Sequence, residues 1–195
     1  MGVSSLLIDG SSSLLDKESE VAIEDYILSK SLENNKILNR IISFQTVDDF
    51  TILTILKDCK DKAEIKKIFR FKAMGWNRDG LVFRAYRALL DKDMKNSLSI
   101  VLTDANPSDL KPLITEGFKL NKPYQEEAGL EDTIENIHKL RIKGLNIGAI
   151  LNSEKIENAK KLYKNNFIKI DKASAIANTA GKFIKKQISE IEKFS

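Results

Sequence analysis

Short apolar runs, each too short for a core helix and each ended by turn residues or a helical stretch, recur along this chain. They constrain its fold more than any other feature. Val3–Ile8, with Ser at two positions, stops abruptly at Asp9-Gly10-Ser11-Ser12-Ser13 and reads as a buried strand ending in a loop. Leu98–Leu102 is a Leu- and β-branched-rich run of the kind buried on both faces of a sheet, and it ends in the turn-prone Thr103-Asp104-Ala105-Asn106-Pro107. Leu145–Leu151 and Phe167–Ile170 are two more strands of the same type. Between the runs the apolar spacing turns helical: Leu14–Leu32, a short Ala63–Phe69, Leu81–Leu90, Leu130–Lys143 with Gly144 as C′ residue, a helix from Ser153 to about Asn165, and a Lys- and Glu-rich helix to the C-terminus. Ile37–Phe44 and Phe50–Leu56 are two strands joined through the turn residues Thr46-Val47-Asp48-Asp49, and Lys72–Gly80, with no clear period, is a loop.

Strands that alternate with helices require right-handed crossovers and a mostly parallel central sheet covered on both faces. The short Ile37–Leu56 connection makes one strand antiparallel at an edge. The expected class is therefore α/β, three layers α/β/α. Residues 1–195 form a single domain, since no internal repeat or low-complexity linker interrupts them.

Composition removes several function classes. Apolar residues make up 42% of the chain, enough for a full core, and disorder is excluded. With Cys59 and His138 as the only Cys and His, neither an internal disulfide nor a Cys/His zinc site can be built. No run reaches the ~18 apolar residues of a membrane span. The start lacks the basic region of a secretory signal, and Leu6 stands where a myristoylation motif needs Ser or Thr. The formal charge of +4 says little about partners. Any metal site must be built from oxygen.

Oxygen donors do gather at strand ends. In an open α/β sheet, ligands bind outside the carboxyl ends of the strands, and two of those ends carry Asp9 and Asp104. Asp9 opens an Asp-x-Ser-x-Ser pattern with Ser11 and Ser13, whose hydroxyls can face one point beside the carboxylate. Such a set suits a hard divalent ion such as Mg²⁺. The plain alternative is that the serines cap the following helix. Asn77-Arg78-Asp79-Gly80 is a third oxygen-rich junction just before a helix.

At these residues the chain resembles a known family. Asp9-Gly10-Ser11-Ser12-Ser13, the Asn77–Gly80 loop, and Leu102-Thr103-Asp104 followed by Pro107 and Asp109 look like the three metal-site segments of a von Willebrand factor type A domain, a Rossmann-like fold. Tyr124, Gly129, Glu131-Asp132-Thr133, Gly144, and Leu162-Tyr163 with Asn166-Phe167-Ile168 are similar to the intracellular bacterial branch of nitric oxide reductase activation proteins and the cobaltochelatase subunit with a C-terminal A domain. The resemblance implies a metal ion-dependent adhesion site for Mg²⁺ (or Mn²⁺ or Ca²⁺). Ser11 and Ser13 would bind directly, and Asp9 and Asp104 directly or through water. The Thr usual in the middle segment is absent, and either Asn77 or Asp79 stands in for it. Ala105 replaces a common Gly. With Asp9 and Asp104 alone the loaded site is near neutral and accepts a partner carboxylate, whereas a third ligand in Asp79 makes it net negative and weakens that attraction.

The implied function is Mg²⁺-dependent protein binding, with a partner Asp or Glu completing the ion's shell. The implied partner is an AAA+ ATPase of the MoxR or chelatase type, acting in metalloenzyme activation or metal insertion in the cytoplasm, without a membrane. Members of this branch usually carry the A domain behind a long N-terminal region, so the chain is expected to match the C-terminal domain of a longer protein. Trp76 either packs the middle loop or stands exposed, and with Asp109 it forms the expected partner contacts. Asp132-Thr133 are expected to favour a helix N-terminus by dipole and capping, His138 to be an ordinary helical side chain, and Cys59 a plain thiol. Enzyme readings fit poorly. Ser11 stands where a haloacid dehalogenase-type phosphatase needs its second Asp, and no P-loop or nucleophile–base pair is present. The alternative is a metal-free scaffold of the same fold, or a nucleic-acid-associated module using its basic helices.

Overall fold

The structure, a computed structural model, describes residues 4–59, 63–90, 97–115, 118–153, 156–170 and 173–193. Val3, the expected start of the first strand, lies outside them. β1 (Ser4–Asp9) is buried at all six positions, as its apolar run demands. A 3₁₀ turn over Ser12–Lys17 leads into α1 (Glu18–Asn34), then β2 (Asn39–Val47) and β3 (Phe50–Lys57). A second 3₁₀ stretch, Ala63–Arg70, precedes α2 (Asp79–Leu89) and β4 (Leu98–Thr103). The chain continues through β5 (Asp109–Thr115), β6 (Phe118–Tyr124), α3 (Glu126–Ile142), β7 (Asn146–Leu151), α4 (Ile156–Tyr163), β8 (Phe167–Lys169) and α5 (Ala173–Lys193).

Six strands form one sheet in the order β3-β2-β1-β4-β7-β8. All its pairs are parallel except the β2–β3 hairpin at one edge. The two-residue period of the strands divides the core into two layers. Leu6 and Ile8 of β1 face Val21, Leu28 and Leu32 of α1 and Ala180 and Ile184 of α5. Leu7 faces Val82 and Phe83 of α2, Ile137 and Leu140 of α3, and Leu162 and Tyr163 of α4. Each fully buried Leu or Ile contributes roughly 1.5–3 kcal/mol.

One region was not legible. β5 and β6 form a separate antiparallel ribbon between β4 and α3, where no strand pattern stands out. Pro112 and Pro123 face each other across it, and its register shifts twice, so the period-2 signal is broken where it would have been read. α3 starts at Glu126, four residues before the apolar spacing begins, because its first turn is acidic. Ser153, expected to cap α4, instead donates its hydroxyl to the Asp104 carbonyl at 2.7 Å. Gly144 closes α3 as expected, donating its N–H to the Arg141 carbonyl at 2.9 Å.

The topology places the site. From β1 the chain passes to β2 on one side and later returns to β4 on the other, so a crevice opens beyond the carboxyl ends of β1 and β4. The register sets Ile8 opposite Leu102, which brings Asp9 and Thr103 off adjacent strands at the same level.

A buried acid elsewhere marks the layer between the sheet and α1. Asp25 is fully buried, neither of its carboxylate oxygens has a hydrogen-bond partner among the described residues, and burial, with a smaller push from Glu24, raises its pKa well above the usual range. A pKa raised in the folded state makes stability fall as pH rises from the ordinary carboxylate range towards the folded value. Asp25→Asn should therefore leave stability unchanged near pH 4 and raise it by about 1–3 kcal/mol at pH 8, as read from denaturant melts at the two pH values.

Candidate metal centre

Asp9 is the last residue of β1 and is fully buried. Its Oδ1 accepts the Ser11 backbone N–H at 2.9 Å, a tight Asx turn that bends the chain back over the strand end. Its Oδ2 accepts the Asn77 amide at 3.1 Å and the Thr103 hydroxyl at 3.2 Å. Even so, burial first and the nearby Asp104 charge second push Asp9 up to about 7. The turn also places the serine hydroxyls side by side, with Ser11 Oγ and Ser13 Oγ 3.1 Å apart, Ser11 buried and Ser13 exposed. Ser12 donates both its N–H (3.0 Å) and its hydroxyl (2.8 Å) to the Gly75 carbonyl. Gly75 has a φ of +68°, and a Cβ there would collide with the Thr46 carbonyl, so only glycine suits this crossing of loops.

The middle segment separates two residues that are alternatives on sequence. Asn77 exchanges both backbone hydrogen bonds with Ser108 and accepts the Ser108 N–H on its Oδ1 at 3.1 Å, while its amide nitrogen orients Asp9. Its side chain is occupied on both sides. Asp79, the first residue of α2, is 1% exposed, and both its oxygens lack a hydrogen-bond partner among the described residues. Burial, then the charges of Asp9, Asp104 and Asp132, raise its pKa well above the ordinary carboxylate value. Asp104 follows β4, where its Oδ1 accepts the Asn106 N–H at 2.9 Å. Ala105 beside it holds a left-handed φ of +56°, a conformation that the Gly usual at this place adopts without strain.

Two buried clamps hold this geometry. Arg78 Nε donates to Asp109 Oδ2 at 2.7 Å, and its backbone N–H donates to Thr46 Oγ1 at 3.3 Å, tying the middle loop to β2 and β5. Asp109 is 1% exposed, so it braces Arg78 and does not face a partner. The second clamp holds the start of α2. The Gly80 N–H donates to the Tyr124 hydroxyl at 2.9 Å, which in turn donates to Asp132 Oδ2 at 2.9 Å. Asp132 Oδ1 takes Arg84 at 2.5 Å and Asn136 at 3.1 Å. A Cβ on Gly80 would collide with the Asp132 carboxylate, so glycine is required for this approach. Asp132 and Thr133 are thus buried within α3 and are not at its N-terminus, which corrects the capping expectation. Trp76 is 40% exposed while its backbone pairs with Thr46, one residue before Asn77. His138 is exposed on α3, and Cys59 donates to Asp58.

Asp9, Ser11, Ser13, Asn77, Asp79 and Asp104 are therefore brought to one crevice. Among the described residues no three Asp, Glu, His or Cys side chains close on a point as a cage. The donor set instead mixes hydroxyls with carboxylates, the kind Mg²⁺ shares with its own waters. It passes one structural test of fit: the two buried oxygens of Asp79, without hydrogen-bond partners among the described residues, lie in the field of three further carboxylates, Asp9, Asp104 and Asp132, a grouping that a divalent cation would relieve. The roles of Thr103 as a donor to Asp9 and of Arg78 as a clamp carry no spacing signal in the sequence.

No protein-family profile matches this chain, and no curated protein matches it in sequence. Solved structures do. A pilus adhesin of Lactobacillus rhamnosus GG in its open conformation aligns with a TM-score of 0.64 and 16% identity over 97% of this chain, which spans 30% of the adhesin's length. The vWF domain of a type V pili tip protein of Porphyromonas gingivalis aligns with a TM-score of 0.62 and 12% identity over 95% of both chains. Proximal thread matrix protein 1 from the mussel byssus gives 0.61 and 14% over 96% of this chain and 48% of its own. At these identities the likeness shows the fold: a von Willebrand factor A-type α/β sandwich with one antiparallel edge strand.

The two kinds of buried acid respond oppositely to substitution. Asp79→Asn removes an unpaired carboxylate and should raise the stability of the metal-free protein by about 1–3 kcal/mol. Asp109→Ala strands the buried Arg78 charge and should lower it by about 3–5 kcal/mol. Chemical denaturation in the presence of a chelator measures both.

Proposed function

We propose that this chain is a divalent-cation-dependent protein-binding module, with Mg²⁺ as its first ion and Mn²⁺ or Ca²⁺ as substitutes. The observation that carries the reading is Asp79, buried and without hydrogen-bond partners among the described residues, in the field of Asp9 and Asp104 at the switch point of the sheet. Ser11 and Ser13 would bind the ion with their hydroxyls and Asp9 and Asp104 directly or through water, while Asp79 would lie behind the ion without binding it, which leaves the site open to an acidic partner. Asn77 would orient Asp9. A bound ion offers an open coordination position to a partner's oxygen, and an Asp or Glu of the partner fills it. Trp76, half exposed at the rim, is the chain's own apolar contact for that partner.

On this reading the chain works by binding, and any turnover belongs to its partner. The resemblance to the nitric oxide reductase activation and cobaltochelatase branch supports a cytoplasmic AAA+ ATPase of the MoxR or chelatase type as partner. That pairing serves metalloenzyme activation or metal insertion. The solved neighbours with this fold include a pilus adhesin and a pili tip protein, which supports a binding role for this chain. Among the described residues no helix is long and apolar enough to cross a membrane.

Metal titration tests the reading directly. A ligand that binds only the folded state raises its stability by about 2.7 kcal/mol at a hundredfold excess over Kd. Millimolar Mg²⁺ or Mn²⁺ should raise the thermal midpoint of the purified protein, and Asp9→Ala should abolish the rise. An unchanged wild-type midpoint would favour the metal-free scaffold. A salt-dependent shift of DNA or RNA that Asp9→Ala leaves intact would favour the nucleic-acid alternative.

A further inference from the structure

β3 is an edge strand of the six-stranded sheet, and its eight residues pair with β2 alone among the described strands. Its free side can be read residue by residue. Opposite Thr51, Thr46 donates its N–H to the Trp76 carbonyl at 2.7 Å and accepts the Trp76 N–H at 2.8 Å. Opposite Leu53, the Phe44 carbonyl accepts the Gly10 N–H at 2.7 Å. The backbone groups of these two β2 residues thus turn away from β3. In an antiparallel ladder a residue facing such a neighbour stands in a non-hydrogen-bonded pair, and its own N–H and C=O point outwards. Thr51, Leu53 and, by the same alternation, Ile55 therefore offer their backbone to the outside. None of the three makes a backbone bond to another segment among the described residues.

Nothing in the strand blunts this edge. Phe50–Leu56 holds no charged residue and no Pro, and the shift in its register comes only after Ile55. Phe50 is 73% exposed, and Ile52, Thr54 and Ile55 are exposed as well. The opposite edge of the sheet shows the usual protection: β8 has three residues, is half-buried throughout and ends in Lys169. We propose that β3 is a self-association edge, on which two copies of this chain pair β3 to β3, antiparallel, about a two-fold axis through Leu53. The occupant is a second copy because the edge complements itself. A two-fold axis normal to the sheet keeps every side chain on its own face, so outward-pointing residues meet outward-pointing residues. Centred on Leu53, the axis sets Thr51 against Ile55, Leu53 against Leu53 and Ile55 against Thr51, and no other centre uses all three. Ile52 then lies against Thr54 of the second copy, and the neutral stretch Phe50–Leu56 opposes no like charges. The strand direction reverses across the axis, so the crevices of the two copies open in opposite directions. This inference does not depend on the cation reading.

Sedimentation equilibrium of the whole chain, from micromolar to millimolar concentration, should show a monomer–dimer equilibrium that stops at two copies. Ile52→Lys, at an exposed side chain, should raise the dimer dissociation constant by about tenfold. Adding Thr54→Glu should restore most of the loss, because the two altered side chains face each other across the axis. Amide exchange of the wild-type chain gives a reading that needs no variant. The N–H groups of Thr51, Leu53 and Ile55 should exchange slowly at dimer concentrations and faster on dilution, while Ile52 and Thr54, bonded to β2, stay protected at both. A chain that is monomeric at every concentration overturns the inference and leaves the edge to an extended segment of another protein. Open-ended growth beyond two copies overturns it too, as does a dimer in which those three amides exchange fast. A folded Ile52→Lys protein that dimerises like wild type, or a double variant no better than Ile52→Lys, overturns the pairing centred on Leu53. Should Ile52→Lys fail to fold, the wild-type exchange pattern decides.

Discussion

The burial of the Asp9 carboxylate at the end of β1 is the constraint on which the rest of the site depends. A carboxylate taken out of water must find donors or a counter-charge, or give up its ionisation. Asp9 finds donors in three separate segments: the Ser11 N–H, the Thr103 hydroxyl and the Asn77 amide. The three loops beyond β1, before α2 and after β4 are therefore gathered around one side chain. Their own backbone bonds then lock them to one another, Met74 to Gly10, Ser12 to Gly75 and Asn77 to Ser108. The crevice is a consequence of solvating one buried acid with protein groups.

The surrounding acids divide by what satisfies them. Asp109 has Arg78, and Asp132 has Tyr124, Arg84 and Asn136, so both serve as internal braces whose loss would leave a cation or a helix start unsupported. Asp79 sits between these braces without a hydrogen-bond partner among the described residues. Its neighbours Arg78 and Gly80 are each held by a clamp, so the backbone keeps the carboxylate buried although the side chain gains no bond there. A local loss of stability held in place by well-satisfied neighbours is the usual signature of a residue selected for binding.

Much of this was legible in the sequence because it depends on period and punctuation. Leu6-Leu7-Ile8 before Asp9, and Leu98–Leu102 before Thr103-Asp104, announce buried parallel strands whose ends carry acids, and topology does the rest. The β5–β6 ribbon was not legible, since Pro112, Pro123 and two register shifts erase the alternation. Nor was the division between Asn77 and Asp79, two residues apart in one loop. It is decided by Ser108, which arrives from a distant segment to occupy Asn77. Asp109 reads as surface-facing from its turn-rich surroundings, and only the approach of Arg78 explains its burial. Long-range partners have no spacing, so no local pattern can report them.

The number of carboxylates that touch the ion governs what a partner can offer. Three ionised acids and a divalent cation leave a formal charge of −1, which repels an incoming Asp or Glu. With two acids on the ion the count is zero, and the exposed coordination position attracts one. The nearby basic groups do not alter this balance, because Arg78 is committed to Asp109 and Lys111 to Asp49. Asp79 has the freedom to decide it. Kept off a bound ion, it would screen the charge from behind while Asp9 and Asp104 met the ion from the strand ends. Drawn onto the ion, it closes the site to acidic partners.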